Sequence, residues 1–359
     1  MSIRVQIRKD LKDFTLDVSF EGNAKRIGIL GESGAGKSMT LRCIAGIEQP
    51  DSGLIETDGQ VLYDSVRKIN RKPQDRAVGY LFQNYALFPA MTVLDNVAAG
   101  IRQGNRKDKR EKAAELLEKF GIIDLKNRLP REISGGQQQR TALARILASE
   151  PGTILLDEPF SALDSYLKDQ MLMDLMEMLE EFPGSVIMVS HNRDEIYRFS
   201  EELLVLERGH SLLFDKTKTV FADPKYKEAA KLTGCKNFCR IRRLDDHRFF
   251  AADWNIEIRT GNKVPEDADW IGYRAHDFIP VRGSAQDNCI PVKPGRVSEL
   301  PFEYNYYVKP VGKEESPMIR WFVQREQVQD IIENGFPDYL KVKEDRIMYL
   351  MDSCCQRKC

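Results

Sequence analysis

No run of residues approaches the roughly 18 consecutive apolar positions that would span a bilayer, so no membrane helix is encoded. The opening stretch, MSIRVQIRKD, alternates charge with apolar side chains and lacks the apolar centre of a secretion signal, which makes the cytosol the expected location. An excess of either charge is missing too. Lys and Arg number 54 against 55 Asp and Glu, so no long-range field draws the chain to nucleic acid or to an anionic membrane, and any membrane contact is expected to be local. Cysteine is sparse, at seven, and three of these crowd together as Cys354, Cys355 and Cys359. That count is odd and thin for a secreted disulfide framework, so free thiols are expected, and the three tail cysteines lack a clear fourth ligand for a metal.

What is present is enough chain for two domains: 359 residues exceed the size at which one core keeps growing. Up to about residue 222, short apolar runs alternate with helical patterns. The runs are Ile27 to Leu30, Val78 to Phe82, Ile154 to Leu156, Val186 to Val189 and Leu203 to Leu206. Strands feeding crossover helices around a mostly parallel, buried sheet are expected from this texture. Arg102 to Phe120 reads as a solvated helix of a helical insertion, and Leu167, Met171, Leu175 and Leu179 form a helical stripe expected to pack on the sheet. Beyond a linker at 223–234, residues 235–359 are rich in aromatic and β-branched residues punctuated by Gly and Pro, the pattern of a second, all-β domain.

The most specific local signal is Gly31 to Ser38, GESGAGKS, which satisfies G-x-x-x-x-G-K-[ST] between an apolar strand and a helical pattern. Gly31, Ser33, Gly34, Ala35 and Gly36 turn backbone N–H groups around phosphate oxygens, and Met39 continues into the helix whose positive end faces them. Lys37 is placed for the β and γ phosphates and Ser38 for Mg2+. A second strand delivers Asp157 and Glu158, adjacent carboxylates that would repel unless a cation or a proton transfer justified them. Asp157 therefore suits the metal, and Glu158 the polarisation of an attacking water. Two further strands end at Gln83 and at His191, an amide and an imidazole that would complete a ring around the γ-phosphate, with Gln83 also within reach of the metal. Either residue alone would as readily serve packing.

Ser134, Gly135, Gly136 and Gln137 open another helical pattern and make a second anion-binding helix start. One nucleotide has no need of two. The surplus start is best used in trans on the γ-phosphate of another copy, which predicts a homodimer closing over two ATP molecules.

Taken together, these segments resemble the ATPase subunit of ABC importers along the whole chain, most tightly over residues 1–222. GESGAGKS resembles the Walker A loop, ILLDEP the Walker B strand, and ISGGQ the signature motif, with Ile133 where leucine is usual. Phe82 and Gln83 are similar to the Q-loop, Ser161 to Asp164 to the D-loop, and His191 to the switch histidine. The resemblance implies an α/β P-loop ATPase domain with a helical subdomain, followed by an OB-like barrel of the MOP or TOBE type. It also implies ATP and Mg2+ as ligands, Asp164 in the nucleotide site, and an aromatic residue stacked on adenine, for which Phe14 is the first candidate and Phe20 the next. The implied setting is the cytoplasmic face of a membrane, bound to permease subunits through Asn84 to Val93 and acting indirectly with an extracytoplasmic solute-binding protein. Segments 232–237, 270–278, 284–288 and 294–297 resemble the regulatory domain of molybdate and sulfate transporter ATPases, with molybdate as first choice. Importers of sugars, polyamines or iron, and soluble ABC ATPases without a permease, are the alternatives.

Overall fold

The computed structural model describes residues 2–12, 14–161, 165–313 and 315–353. By contact the chain divides into two compact units, Met1–Lys218 and Thr219–Cys359. The first unit opens with β1 (Ile3–Asp10), β2 (Thr15–Gly22), β3 (Arg26–Gly31), α1 (Lys37–Ala45), β4 (Ser52–Thr57), β5 (Gln60–Asp64), β6 (Ile69–Asn70) and β7 (Val78–Leu81). It continues through the helices α2 (Val93–Ala98), α3 (Arg106–Lys119) and α4 (Gly135–Leu147). Then come β8 (Thr153–Asp157), α5 (Ser165–Met178), β9 (Ser185–Ser190), α6 (Arg193–Phe199), β10 (Glu202–Glu207) and β11 (His210–Lys216).

All eleven strands form one sheet in the order β6-β5-β4-β1-β2-β11-β10-β3-β9-β8-β7. The run β10-β3-β9-β8-β7 is parallel, and β8 and β9 are buried along their whole length, as strands covered on both faces must be. The other half departs from the mostly parallel sheet expected: β1 pairs antiparallel with β2 and β4, and β10 with β11. The reason is legible in β1 and β2, where buried and exposed residues alternate with period two, leaving one face in water. Leu41 and Ile44 of α1 join Ile29, Leu155 and Val189 in the core between these layers, each contributing about 1.5–3 kcal/mol by burial.

The C-terminal end of α1 is held by an arginine that the motif reading leaves out. Arg76 is 1% exposed. Its Nη1 donates to the carbonyls of Cys43 and Ile44 at 2.8 Å each, and its Nε donates to that of Arg71 at 2.8 Å. Carbonyls that a helix end leaves without partners are thus satisfied by a cation at the negative pole of the dipole. Gly46, at φ 78°, completes the cap, and a Cβ there would stand 2.5 Å from the Arg76 Nε.

The second unit begins within α7 (Thr217–Ala222) and continues with α8 (Lys227–Leu232). Its strands are β12 (Asn237–Arg243), β13 (Arg248–Ala251), β14 (Ile256–Arg259), β15 (Trp270–Tyr273), β16 (Ile279–Val281), β17 (Cys289–Glu299), β18 (Glu303–Pro310) and β19 (Ile319–Gln324), followed by α9 (Arg325–Asn334), β20 (Tyr339–Lys341) and β21 (Met348–Leu350). They form two five-stranded sheets, β14-β13-β12-β15-β21 and β16-β20-β17-β18-β19, around Trp254, Tyr273, Phe278, Tyr306 and Trp321. This β-rich unit is consistent with the OB-like domain expected, with α9 added after β19. Asn237 is 4% exposed and ties the unit together: its Nδ2 donates to the carbonyls of Tyr273 (3.2 Å) and Arg320 (2.9 Å), and its Oδ1 accepts from the Arg320 N–H (2.7 Å). Cys354, Cys355 and Cys359 lie outside the described residues.

Candidate functional site

The glycine loop leaves β3 at Gly31 and enters α1 at Lys37. Two of its glycines are required by geometry. Gly36 has φ 96°, and a Cβ there would come within 2.5 Å of the Leu16 side chain; Gly34 sits at φ 81°, a left-handed conformation that strains other residues. Lys37 is 5% exposed and donates from Nζ to the carbonyls of Gly31 and Glu32 at 2.9 Å each. Burial pulls its ammonium below the ordinary lysine range, opposed by the nearby charges of Glu158 and Asp157. Ser33, Ala35 and Met39 occupy the expected loop and first-turn positions.

At the ends of the parallel strands the predicted polar groups converge. Ser38 Oγ donates to Asp157 Oδ1 at 2.7 Å, joining the start of α1 to the end of β8. Glu158, the next residue, sits at φ 46°, a left-handed conformation costing of order 1–3 kcal/mol outside glycine. Its N–H donates to the Val189 carbonyl at 3.0 Å, so the strained turn is pinned to β9. That turn brings Glu158 Oε2 to 3.4 Å from His191 Nδ1. The backbone beside His191 is tied down: Ser190 Oγ donates to Glu195 Oε2 at 2.5 Å and accepts from the Asn192 N–H at 3.0 Å, while Asn192 caps α6. Gln83 stands exposed just past β7, at the head of the 84–93 segment.

Other predicted residues fall apart from this group. Ser134 is the N-cap of α4 in a reciprocal capping box: its N–H donates to Gln137 Oε1 at 2.9 Å, and Gln137 N–H donates back to its Oγ at 3.4 Å. Ser134 and Gly135 are exposed, while Gly136 faces Met171 of α5, whose Sδ a Cβ at Gly136 would approach to 3.1 Å. Phe14 lies against the glycine loop, about 3.6 Å from a Cβ built on Gly36, and also against Gly209. Phe20, by contrast, is 5% exposed and packs on Phe214 at 5.5 Å, a core position. Asp164 lies outside the described residues.

Sequence reasoning missed residues that act through tertiary pairing. Tyr80 on β7 donates its hydroxyl to Asp157 Oδ2 at 2.7 Å. Arg145 on α4 donates to the carbonyls of Ala86 (2.8 Å) and Tyr85 (2.9 Å) and lies over the Phe88 ring at 5.3 Å. Buried Asn96 accepts from the Phe88 N–H at 2.8 Å and donates to the carbonyls of Phe88, Met91 and Thr92 at 3.1 Å each. Residues 84–93 are thereby a braced loop presenting Phe88 (47% exposed) and Met91 (39%), with Tyr85 and Ala86 both at positive φ.

A glycine loop between β3 and α1, with an acid pair at the end of the parallel strand β8, defines a P-loop ATPase. The ABC transporter family model matches residues 11–161. The chain is 34% identical over 290 residues to the Fe(3+) ions import ATP-binding protein FbpC 2 of Haemophilus influenzae, covering 80% of each chain. It is 34% identical over 296 residues to the sulfate/thiosulfate import ATP-binding protein CysA 2 of Rhizobium meliloti, covering 79% of this chain and 78% of that one. It is 37% identical over 305 residues to the molybdate/tungstate import ATP-binding protein WtpC of Thermococcus kodakarensis, covering 82% and 88%. A solved ATP-binding cassette, a dimer in a post-hydrolysis state bound to ADP and Pi, superposes with a TM-score of 0.50 at 28% identity, over 60% of this chain and 99% of that one. The chain belongs to the ABC transporter family, as an ATP-binding subunit of the import type. Its ligand is ATP, with Mg2+ as the usual partner. Among the described residues no helix is long and apolar enough to cross a membrane.

Proposed function

We propose that the chain hydrolyses ATP to drive an importer of molybdate or a related oxyanion, working as a homodimer on permease subunits at the cytoplasmic face of the membrane and indirectly with an extracytoplasmic solute-binding protein. The observation that carries the ATPase half is the convergence of Lys37, Ser38, Asp157, Glu158 and His191 at the ends of parallel strands, with Ser38 bonded to Asp157 and Glu158 facing His191. Support for the cargo is narrower. It rests on the molybdate/tungstate relative, matched over more residues than the iron and sulfate relatives quoted above.

The donor set fits the metal: a hydroxyl, a carboxylate and, from Gln83, an amide oxygen are hard ligands of the kind Mg2+ takes. Ser38, Asp157 and Gln83 would hold it, and when bound it neutralises charge on the β and γ phosphate oxygens. Lys37, now resting on two loop carbonyls, turns to the same phosphates, cradled by the N–H groups of residues 33–39. Glu158 orients a water whose oxygen bonds to the γ-phosphorus as the bond to the bridging oxygen breaks, and the water's proton passes to its carboxylate. His191 steadies that carboxylate and the γ-phosphate. Ser134, Gly135, Gly136 and Gln137 of the second copy close on the γ-phosphate, exchanging their internal capping box for the ligand. Phe14 stacks on adenine, and the exposed Phe88 and Met91 of residues 84–93 dock on the permease.

Glu158→Gln tests the catalytic reading: ATP binding is retained, hydrolysis falls about a thousandfold, and closed dimer accumulates on a sizing column with ATP. Rapid turnover by this variant removes Glu158 from the role. For the cargo, cells lacking this chain and grown on limiting molybdate should lose cellular molybdenum while iron and sulfur hold; a selective fall of iron or sulfur instead reassigns it.

A further inference from the structure

The carboxylate of Asp157 has two donors, and only one belongs to the recognised motifs. Ser38 donates to Oδ1, and the Tyr80 hydroxyl donates to Oδ2, each at 2.7 Å. Tyr80 lies three residues before Gln83 on β7, opposite Leu155 in the parallel pairing with β8, so its side chain leans along the sheet to reach the strand end. The residue is half-buried and its ring stacks at a tilt on Phe82, centroids 4.5 Å apart.

A carboxylate held by one donor can still rotate; held on both oxygens it presents a fixed plane. We propose that Tyr80 is a positioning residue for Mg2+: by engaging Oδ2 it orients Asp157 so that Oδ1, the oxygen already shared with Ser38, faces the cation. This rests on the assignment of Asp157 to the metal. Neighbours that fix the orientation of a metal-holding carboxylate are worth roughly tenfold or more in metal affinity. The same arrangement ties the metal side of the site to β7, whose next residues are Phe82 and Gln83.

The test titrates Mg2+ into the full-length protein with a fluorescent, non-hydrolysed ATP analogue and reads nucleotide affinity. Tyr80→Phe keeps the ring and removes only the hydroxyl. The Mg2+ concentration for half-maximal tightening should rise about tenfold, with affinity in EDTA unchanged. Asp157→Asn runs alongside and should abolish or strongly weaken the Mg2+ response. If Asp157→Asn moves the response and Tyr80→Phe does not, whatever its melting temperature, the hydroxyl merely completes a buried contact and the positioning role is lost. If neither variant moves it, the metal assignment of Asp157 falls as well.

Discussion

The two units treat their polar side chains in opposite ways. In the second, Asn237 fills three hydrogen bonds with backbone, and Arg282 spreads its guanidinium over the carbonyls of Gly335 and Asp330 and the Asp330 carboxylate, so these groups are spent on the fold. In the first, Lys37 is buried with only two loop carbonyls, the Ser134 and Gln137 pair cap each other in the open, and Glu158 sits strained beside an exposed His191. Polar groups saturated by the chain mark structure. Those left with weak or replaceable partners mark where a ligand enters.

Arg76, like the saturated Asn96, breaks the pattern within the first unit and supplies its hardest test. It is as buried as Lys37 but fully engaged, and Arg76→Leu removes a charged donor from the carbonyls of Cys43 and Ile44 at the end of α1 and from that of Arg71, just past β6. The expected loss is about 3–5 kcal/mol of unfolding free energy, read by urea denaturation. A loss under about 1 kcal/mol would show that saturation does not diagnose a structural role.

Lys37→Met should do the reverse. Nucleotide affinity falls about a hundredfold, the equivalent of one or two hydrogen bonds to a charged group, while the nucleotide-free protein keeps or gains stability because a desolvated charge has gone. Fluorescent nucleotide binding and thermal melts in its absence separate the two effects. In the second unit, Asn237→Ala is expected to cost about 2 kcal/mol, with ATP affinity unaltered; a drop in affinity of the size seen for Lys37→Met would erase the contrast between the units.

Most of the first unit's site was legible because its motifs are local. GESGAGKS, the AspGlu pair and the SerGlyGly helix start each specify backbone geometry within a few residues, so strand, loop and helix could be placed around them. The parallel strands were legible as unbroken apolar runs. The antiparallel half carries a different signal, the alternation of Ile3, Val5 and Ile7 with charged and polar residues in β1. Tyr80, Arg76, Asn96 and Arg145 were invisible for a different reason: each acts on a segment brought near only by folding, and a lone Tyr, Arg or Asn carries no spacing signal. In the second unit the β-rich texture was readable, but α9, REQVQDIIEN, carries only one short apolar stripe, Val328, Ile331 and Ile332, too brief to stand out among the strand-like runs around it.

The smallest expected effect follows from the burial of Lys37. Its folded-state pKa lies below the ordinary 10.5 because desolvation outweighs the attraction of Glu158 and Asp157. The unfolded chain therefore holds the proton to higher pH than the folded one, and stability contributed at this position rises as pH climbs from the folded pKa towards 10.5. Below the folded pKa both states carry the proton, and the penalty of burying the charge is constant. Measured as the difference between the nucleotide-free protein and Lys37→Met, the advantage of the variant should be flat below the folded pKa and shrink from there up to 10.5. Carboxylates cannot mimic this, since they titrate far below. An advantage that grows with alkaline pH would mean that Lys37 is stabilised as a cation in the empty site, and that its two carbonyl partners are as complete a shell as Arg76 has.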